Sequence, residues 1–319
     1  MATGRGDSAG DDQDRKPSLP WRRERFSLGR LSTALGAAEG GVPAVSSPSP
    51  ALQVEDLVRQ FGALRALDGV SFRIRPGERH AMIGPNGAGK TTLFNCIGGE
   101  IVPTSGHVLL HGRDITGLGP HLIASAGLAR TFQRNNLFLG LSVFDNVCLA
   151  TQRRMQITRH LFSSVGRFDA VNVATDGVLE RVGLAEQRSV LAKNLSYGEQ
   201  RQLEIAVALA SEPSVLLLDE PSAGMSQAET NRMVELIACL PRDLTIVIIE
   251  HDMDVVFALA DRITVLHYGS ILAEGTPAEV KENPAVQDVY LGAGANVMAG
   301  LSGFGVQWHH AVEGEVGDG

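Results

Sequence analysis

Cysteine is scarce: there are three in 319 residues, Cys96, Cys148 and Cys239, and no CxxC pair. That spacing argues against a disulfide framework or a thiol zinc site and fits a reducing compartment, with each thiol a small buried hydrophobe. Long hydrophobic runs are missing too. "SVLLL" (214–218) and "LTIVII" (244–249) are strand-sized, well short of the roughly 18 residues that span a bilayer. The charged start "MATGRGDSAGDDQDRK" has no apolar segment of the secretory kind. A role at a membrane would therefore need other chains as anchors. Positive charge is also in deficit, with a formal net charge of -8, so no global field draws nucleic acid or an acidic membrane. A local backbone site for phosphate remains open, because oriented amides work without net charge.

What is present falls into three stretches. Residues 1–50 are rich in Gly, Ser, Ala, Pro and mixed charges and end in "VPAVSSPSP". They bury too little apolar surface to offset ordering entropy and read as a disordered tail and linker. Within them "WRRERFSLGRL" (21–31) is basic and amphipathic, with the chemistry to touch lipid headgroups or a partner, beside the plainer reading of a solvated tail. Residues 51–292 form the ordered part, and 293–319 a Gly-rich C-terminal tail.

In the ordered part "LQVEDLVRQF" and "GVSFRIRPG" alternate as half-solvated strands. From about 141 to 210 the pattern is helical, and Leu203, Ala206, Val207 and Ala210 share one helical face. "SVLLLDE", "AETNRMVELIACL", "LTIVIIEH", "MDVVFALAD" and "RITVLHYG" then alternate strand and helix, the rhythm of a parallel sheet covered by helices. The expected class is α/β.

"GPNGAGKT", from Gly84 to Thr91, fits G-x-x-x-x-G-K-[ST], follows the strand "RHAMI" and opens the helix "KTTLFN". That context marks a phosphate-binding P-loop. Gly84, Pro85, Asn86, Gly87, Ala88 and Gly89 would curl with their N–H groups inward, and a helix N-terminus adds about half a positive charge. Lys90 would reach the β- and γ-phosphates, Thr91 would ligate Mg²⁺, and Thr92 completes the set.

Four further stretches resemble the ATP-binding subunits of ABC transporters, and the resemblance covers roughly residues 51–292. It implies a P-loop NTPase cassette with a mostly parallel core sheet, an antiparallel β subdomain and a helical subdomain at about 141–210. "SVLLLDEP" resembles the Walker B element, with Asp219 on Mg²⁺ and Glu220 as general base. "LSYGEQRQ" resembles the signature motif and offers Ser196, Tyr197, Gly198, Glu199 and Gln200 to nucleotide on the opposite subunit; Tyr197 and Glu199 depart from the usual LSGGQ. Gln133 in "RTFQ" resembles the Q-loop residue that senses Mg²⁺ and the γ-phosphate, and His251 in "IIEHD" the switch histidine. Phe61 matches the aromatic that stacks on adenine, and Ser226 replaces the usual aspartate of the D-loop.

The resemblance implies ATP and Mg²⁺ as ligands, and a head-to-tail pair that sandwiches two ATP molecules. The second cassette is expected to be a sister subunit, with a homodimer as the alternative. Two membrane permeases, an indirect substrate-binding protein and a place on the cytoplasmic face of the cell membrane complete the expectation. "GLARTFQ", "LSYGEQRQLEIA", "EHDMDVVFALADRITVLHYGSILAEGTP" and "VQDVYLG" resemble importers of branched-chain amino acids, or of urea and short amides. Lipid or lipopolysaccharide exporter cassettes are an alternative. Soluble nucleic-acid-linked ABC ATPases are disfavoured, because this chain has one cassette, no heptad insertion and no basic stripe. A non-hydrolysing subunit is disfavoured by the presence of Lys90, Thr91, Asp219, Glu220 and His251.

Overall fold

The computed structural model describes residues 49–131, 137–155 and 165–291. Gln133, the stretch 21–31 and the C-terminal tail from 292 lie outside the described residues. The chain divides into two units, 1–46 and 47–319, and the first lies wholly outside them.

The chain opens with strands β1 (Leu52–Phe61), β2 (Leu64–Ile74) and β3 (Arg79–Ile83), followed by helix α1 (Lys90–Ile97). Next come β4 (Ser105–Leu110), β5 (Arg113–Asp114), α2 (Pro120–Ala126) and β6 (Leu128–Arg130). Helices α3 (Val143–Arg154), α4 (Val165–Arg181) and α5 (Tyr197–Leu209) precede β7 (Val215–Asp219) and α6 (Gln227–Cys239). The remainder is β8 (Thr245–Ile249), α7 (Met253–Leu259), β9 (Arg262–His267), β10 (Ser270–Gly275), α8 (Pro277–Glu282) and α9 (Pro284–Leu291).

Two sheets result. An antiparallel one runs β2-β1-β4-β5, and a mostly parallel one runs β10-β9-β3-β8-β7-β6, with only the β9–β10 edge antiparallel. Strand β2 keeps the alternation read from sequence, with Val70, Phe72 and Ile74 buried and Ser71 and Arg73 exposed. Strands β7 and β8 are buried at every position. In β7, Leu216 and Leu218 face one apolar cluster while Val215 and Leu217 face the other; in β8, Ile246 and Ile248 oppose Val247 and Ile249. Both faces of the sheet are covered, so both registers must be apolar, which is why these strands read as unbroken hydrophobic runs.

Helix α5 departs from the single buried face expected of it. Leu203, Ala206 and Ala210 are buried, Val207 is half-buried, and Ile205, Ala208 and Leu209 are buried as well. The cause is packing on several sides: α5 touches α3, α4, α6 and β6. Small residues at 206, 208 and 210 allow that close approach.

Candidate functional site

Strands β3, β8 and β7 are adjacent and parallel, so their carboxyl ends share one edge of the sheet. Ligands of open α/β sheets gather at that edge. The P-loop leaves β3, Asp219 and Glu220 end β7, and His251 follows β8. Residues from distant parts of the chain thereby meet.

The loop needs its glycines. A Cβ at Gly84 would overlap the Leu266 carbonyl oxygen, and one at Gly89 would sit 2.7 Å from that of Ala66. Gly89 has φ of 105° and precedes α1, whose N-terminus carries no side-chain cap and no acidic residue in its first turn. Its N–H groups are thus left to water or an anion. The Lys90 ammonium donates to the carbonyls of Gly84 at 2.6 Å and Pro85 at 3.1 Å, folding over the loop. Burial pulls the Lys90 pKa down, while the carboxylates of Glu220 and Asp219 pull it up.

Asp219 is 2% exposed. Its Oδ2 accepts from Arg130 Nη2 at 2.9 Å, while its Oδ1 is buried without a hydrogen-bond partner. A buried carboxylate oxygen of this kind is costly alone and is suited to a cation. Among the described residues no group of three His, Cys, Asp or Glu could hold a metal by itself. The Asp219 oxygen is thus a single candidate donor rather than a complete metal cage. Glu220 has φ of 48°, a left-handed backbone that costs a non-glycine residue on the order of 1–3 kcal/mol. The Glu220 amide donates to Ile249 O at 2.9 Å, which fixes the kink against β8.

Arg130 was not singled out by sequence reading, although "GLARTFQ" contains it. It leaves β6 and joins Asn95 Oδ1 at 2.8 Å, Glu100 Oε2 at 2.6 Å and Asp219 Oδ2. Glu250 also escaped notice. It is fully buried beside the exposed His251. Only a polar residue ending the apolar run "TIVII" signals it in sequence.

The signature residues form a separate group. Ser196 caps α5 and closes a capping box with Glu199, whose Oε2 accepts from the Ser196 amide at 2.8 Å. Glu and Gln both serve at this third helical position, which explains the Glu199 departure. Gln200 Nε2 donates to Leu195 O at 3.2 Å. Tyr197 is 41% exposed, its hydroxyl accepts from Arg201, and its ring lies over Gly224. Ser226 donates its amide and hydroxyl to Glu229 Oε2 at 2.9 and 2.7 Å. Glu229 also lies against Gly198. The 222–226 loop thus adjoins the signature through Tyr197 and Gly198.

Phe61 ends β1 at 41% exposure, with the Arg59 guanidinium 4.4 Å from its ring centroid. Its hairpin continues into β2, whose Ala66 and Leu67 crowd Gly89. One ring face is taken by Arg59.

The ABC transporter family model matches residues 67–223. A branched-chain amino acid transport ATP-binding protein of Salmonella typhimurium, LivG, is 43% identical over 252 residues, covering 76% of this chain and 98% of the relative. The chain belongs to the ATP-binding family of ABC transporters. Within that family, the model for branched-chain amino acid ATP-binding cassette transporters matches residues 270–296. BraF of Pseudomonas aeruginosa, a protein of the same description as LivG, is 40% identical with the same coverages of 76% and 98%. Among solved structures, the ATP-binding cassette MJ1267 superposes with a TM-score of 0.67 at 29% identity, covering 76% of this chain and 98% of that one.

Proposed function

We propose that this chain is the ATP-hydrolysing subunit of an importer for branched-chain amino acids. The observation that carries the ATPase chemistry is the meeting of Lys90, Asp219, Glu220 and His251 at one sheet edge, with a buried Asp219 oxygen free to meet a cation. The cargo rests on the relatives and on the match at 270–296.

The P-loop from Gly84 to Thr92 cradles the phosphates, and Lys90 neutralises charge on the β- and γ-oxygens. Bound Mg²⁺, held by Thr91, Asp219 and Gln133, would add charge stabilisation at the same phosphates. Glu220 takes a proton from the attacking water, whose oxygen bonds the γ-phosphorus as the bond from that phosphorus to the β–γ bridging oxygen breaks and ADP leaves with that oxygen. His251 meets the γ-phosphate, and Phe61 receives the adenine. Positioning and charge supply the rate, as expected for phosphoryl transfer. Ser196, Tyr197, Gly198, Glu199 and Gln200 face nucleotide held by a second cassette, which we take to be a sister subunit. Residues 51–292 form the catalytic unit, with the helical subdomain at 141–210.

Phe138, Leu139, Leu141, Leu149 and Leu191 are exposed on the helical side. They are suited to two membrane permeases, which a binding protein would supply with cargo. No described helix is long and apolar enough to cross a membrane. The transport relatives are the ground on which we place the chain peripherally on the cytoplasmic face.

The test is ATP hydrolysis by the chain reconstituted with its permeases and binding protein, supplied with leucine, isoleucine, valine, urea or short amides. Stimulation by the three branched-chain amino acids, lost in Glu220→Gln, is expected. Stimulation by urea or an amide alone overturns the cargo and keeps the mechanism. Robust basal hydrolysis with no stimulation by any ligand overturns the importer reading.

A further inference from the structure

Glu250 holds a position that packing alone would give to an apolar residue. It ends the run Thr245–Ile249, every member of which is buried, and is itself fully buried. An ionised carboxylate in such a place is costly unless donors surround it. Three do. Oε1 accepts from the Ser222 amide at 2.9 Å and the Ser222 hydroxyl at 2.6 Å, and Oε2 accepts from the His251 amide at 3.2 Å. The His251 ring nitrogen Nδ1 stands 3.9 Å from the same Oε2.

One carboxylate therefore grips two segments that leave neighbouring strands. His251 belongs to the chain's own nucleotide site. Ser222 opens the loop whose Gly224 lies under Tyr197 and whose Ser226 is held by Glu229, beside Gly198. That loop is the covalent continuation of Asp219 and Glu220. A shift of His251 toward or away from a γ-phosphate is transmitted by hydrogen bonds to the loop that borders the signature face.

We propose that Glu250 is a positioning residue that locks His251 to the 222–226 loop, so that the hydrolytic geometry and the face presented to the second cassette move together. The inference rests on the ATPase reading above and adds a residue to it. Glu250 acts through its two neighbours, Ser222 and His251. A glutamine of the same size keeps one acceptor oxygen but turns an amide toward donors that have no use for it. Binding of ATP, which depends on the P-loop, is left as it was, while the catalytic arrangement loosens.

The experiment uses the full chain as wild type, Glu250→Gln, Ser222→Ala and the double variant. ATP turnover, ATP-analogue binding and amide hydrogen exchange at Ser222 and His251 are measured on each. In Glu250→Gln, kcat is expected to fall about 10- to 100-fold with KM and analogue binding unchanged. Exchange at Ser222 and His251 speeds up while the β8 amides stay protected. The double variant is no worse than the more impaired single one, because both break the same link. Ser222→Ala, which keeps the backbone donor, carries the test if Glu250→Gln does not fold. Intact turnover and unchanged exchange in both variants overturn the positioning role, as does a kcat loss that tracks a general loss of protection. Wild-type chain that neither binds nor hydrolyses ATP overturns the ATPase reading instead.

Discussion

Replacing Arg130 with methionine isolates the worth of one buried charge. The Arg130 side chain is 7% exposed, and the side chain of its partner Asp219 is 1% exposed. Methionine fills most of the volume of the alkyl stem but returns nothing to Asp219, whose other oxygen already lacks a partner. Asn95 and Glu100 lose their bonds as well, though Glu100 is 27% exposed and regains water. Breaking a buried ion pair by removing one member costs about 3–5 kcal/mol. For a domain of this size each kcal/mol moves the thermal midpoint by about 2–4 °C, so a fall of roughly 6–20 °C is expected for Arg130→Met. Differential scanning calorimetry of the full chain reads it. Asp219→Asn added to Arg130→Met should restore much of the loss, because no orphaned buried charge remains. A fall below about 3 °C for the single variant, or a double variant showing the sum of two losses, would refute the reasoning.

Two further outcomes follow from thiol and carboxylate environments. Burial pushes the Cys96 thiol up to about 11 and raises Cys148, whereas Cys239, also expected to be buried, is exposed at the end of α6. Since the thiolate is the nucleophile, a thiol reagent at about pH 8 should modify one cysteine per folded chain quickly; Cys239→Ser should abolish that phase, and its persistence would contradict the burial pattern. The Ser226 hydroxyl and amide hold the Glu229 carboxylate below its ordinary value of 4.5. A depressed carboxylate stabilises the fold fully above that unfolded value and loses its contribution as pH drops through the folded one. Urea midpoints of wild type and Glu229→Gln should therefore differ by a constant amount above 4.5 and converge below it; a gap that widens on acidification would reverse the assignment.

The parts of the site that were legible in sequence are those whose chemistry is local in the chain. The P-loop is a run of eight residues from the end of a strand into a helix; Gly84 and Gly89 are dictated by crowding from Leu266 and Ala66, and Gly87 by its positive φ of 81°. Asp219, Glu220 and His251 were legible because Asp219 and Glu220 close the apolar run of β7 and His251 stands two residues beyond that of β8, so all three must lie near the sheet edge. The parallel sheet followed from the strand–helix rhythm. Short elements such as α2, β6, α8 and α9 were not legible, since six to eight residues or fewer hold too little periodicity to separate helix from loop.

Arg130 and Glu250 were missed for a different reason. Each earns its role from partners that sequence distance conceals: Arg130 reaches Asn95, Glu100 and Asp219 at separations of 35, 30 and 89 residues, and Glu250 reaches Ser222 across 28. Read singly, an arginine or a glutamate implies a solvated surface group. The distinguishing signal is contextual. Glu229 sits three residues after Ser226 at a helix start, a pattern that predicts capping at the surface, whereas Glu250 extends a strand buried on both faces, where solvation is unavailable. A charged residue in that second setting must find donors inside the protein or not ionise, and the donors nearest to a sheet edge are the loops that carry the chemistry. Glu250 is therefore drawn to the site by the same burial that makes β8 a strand.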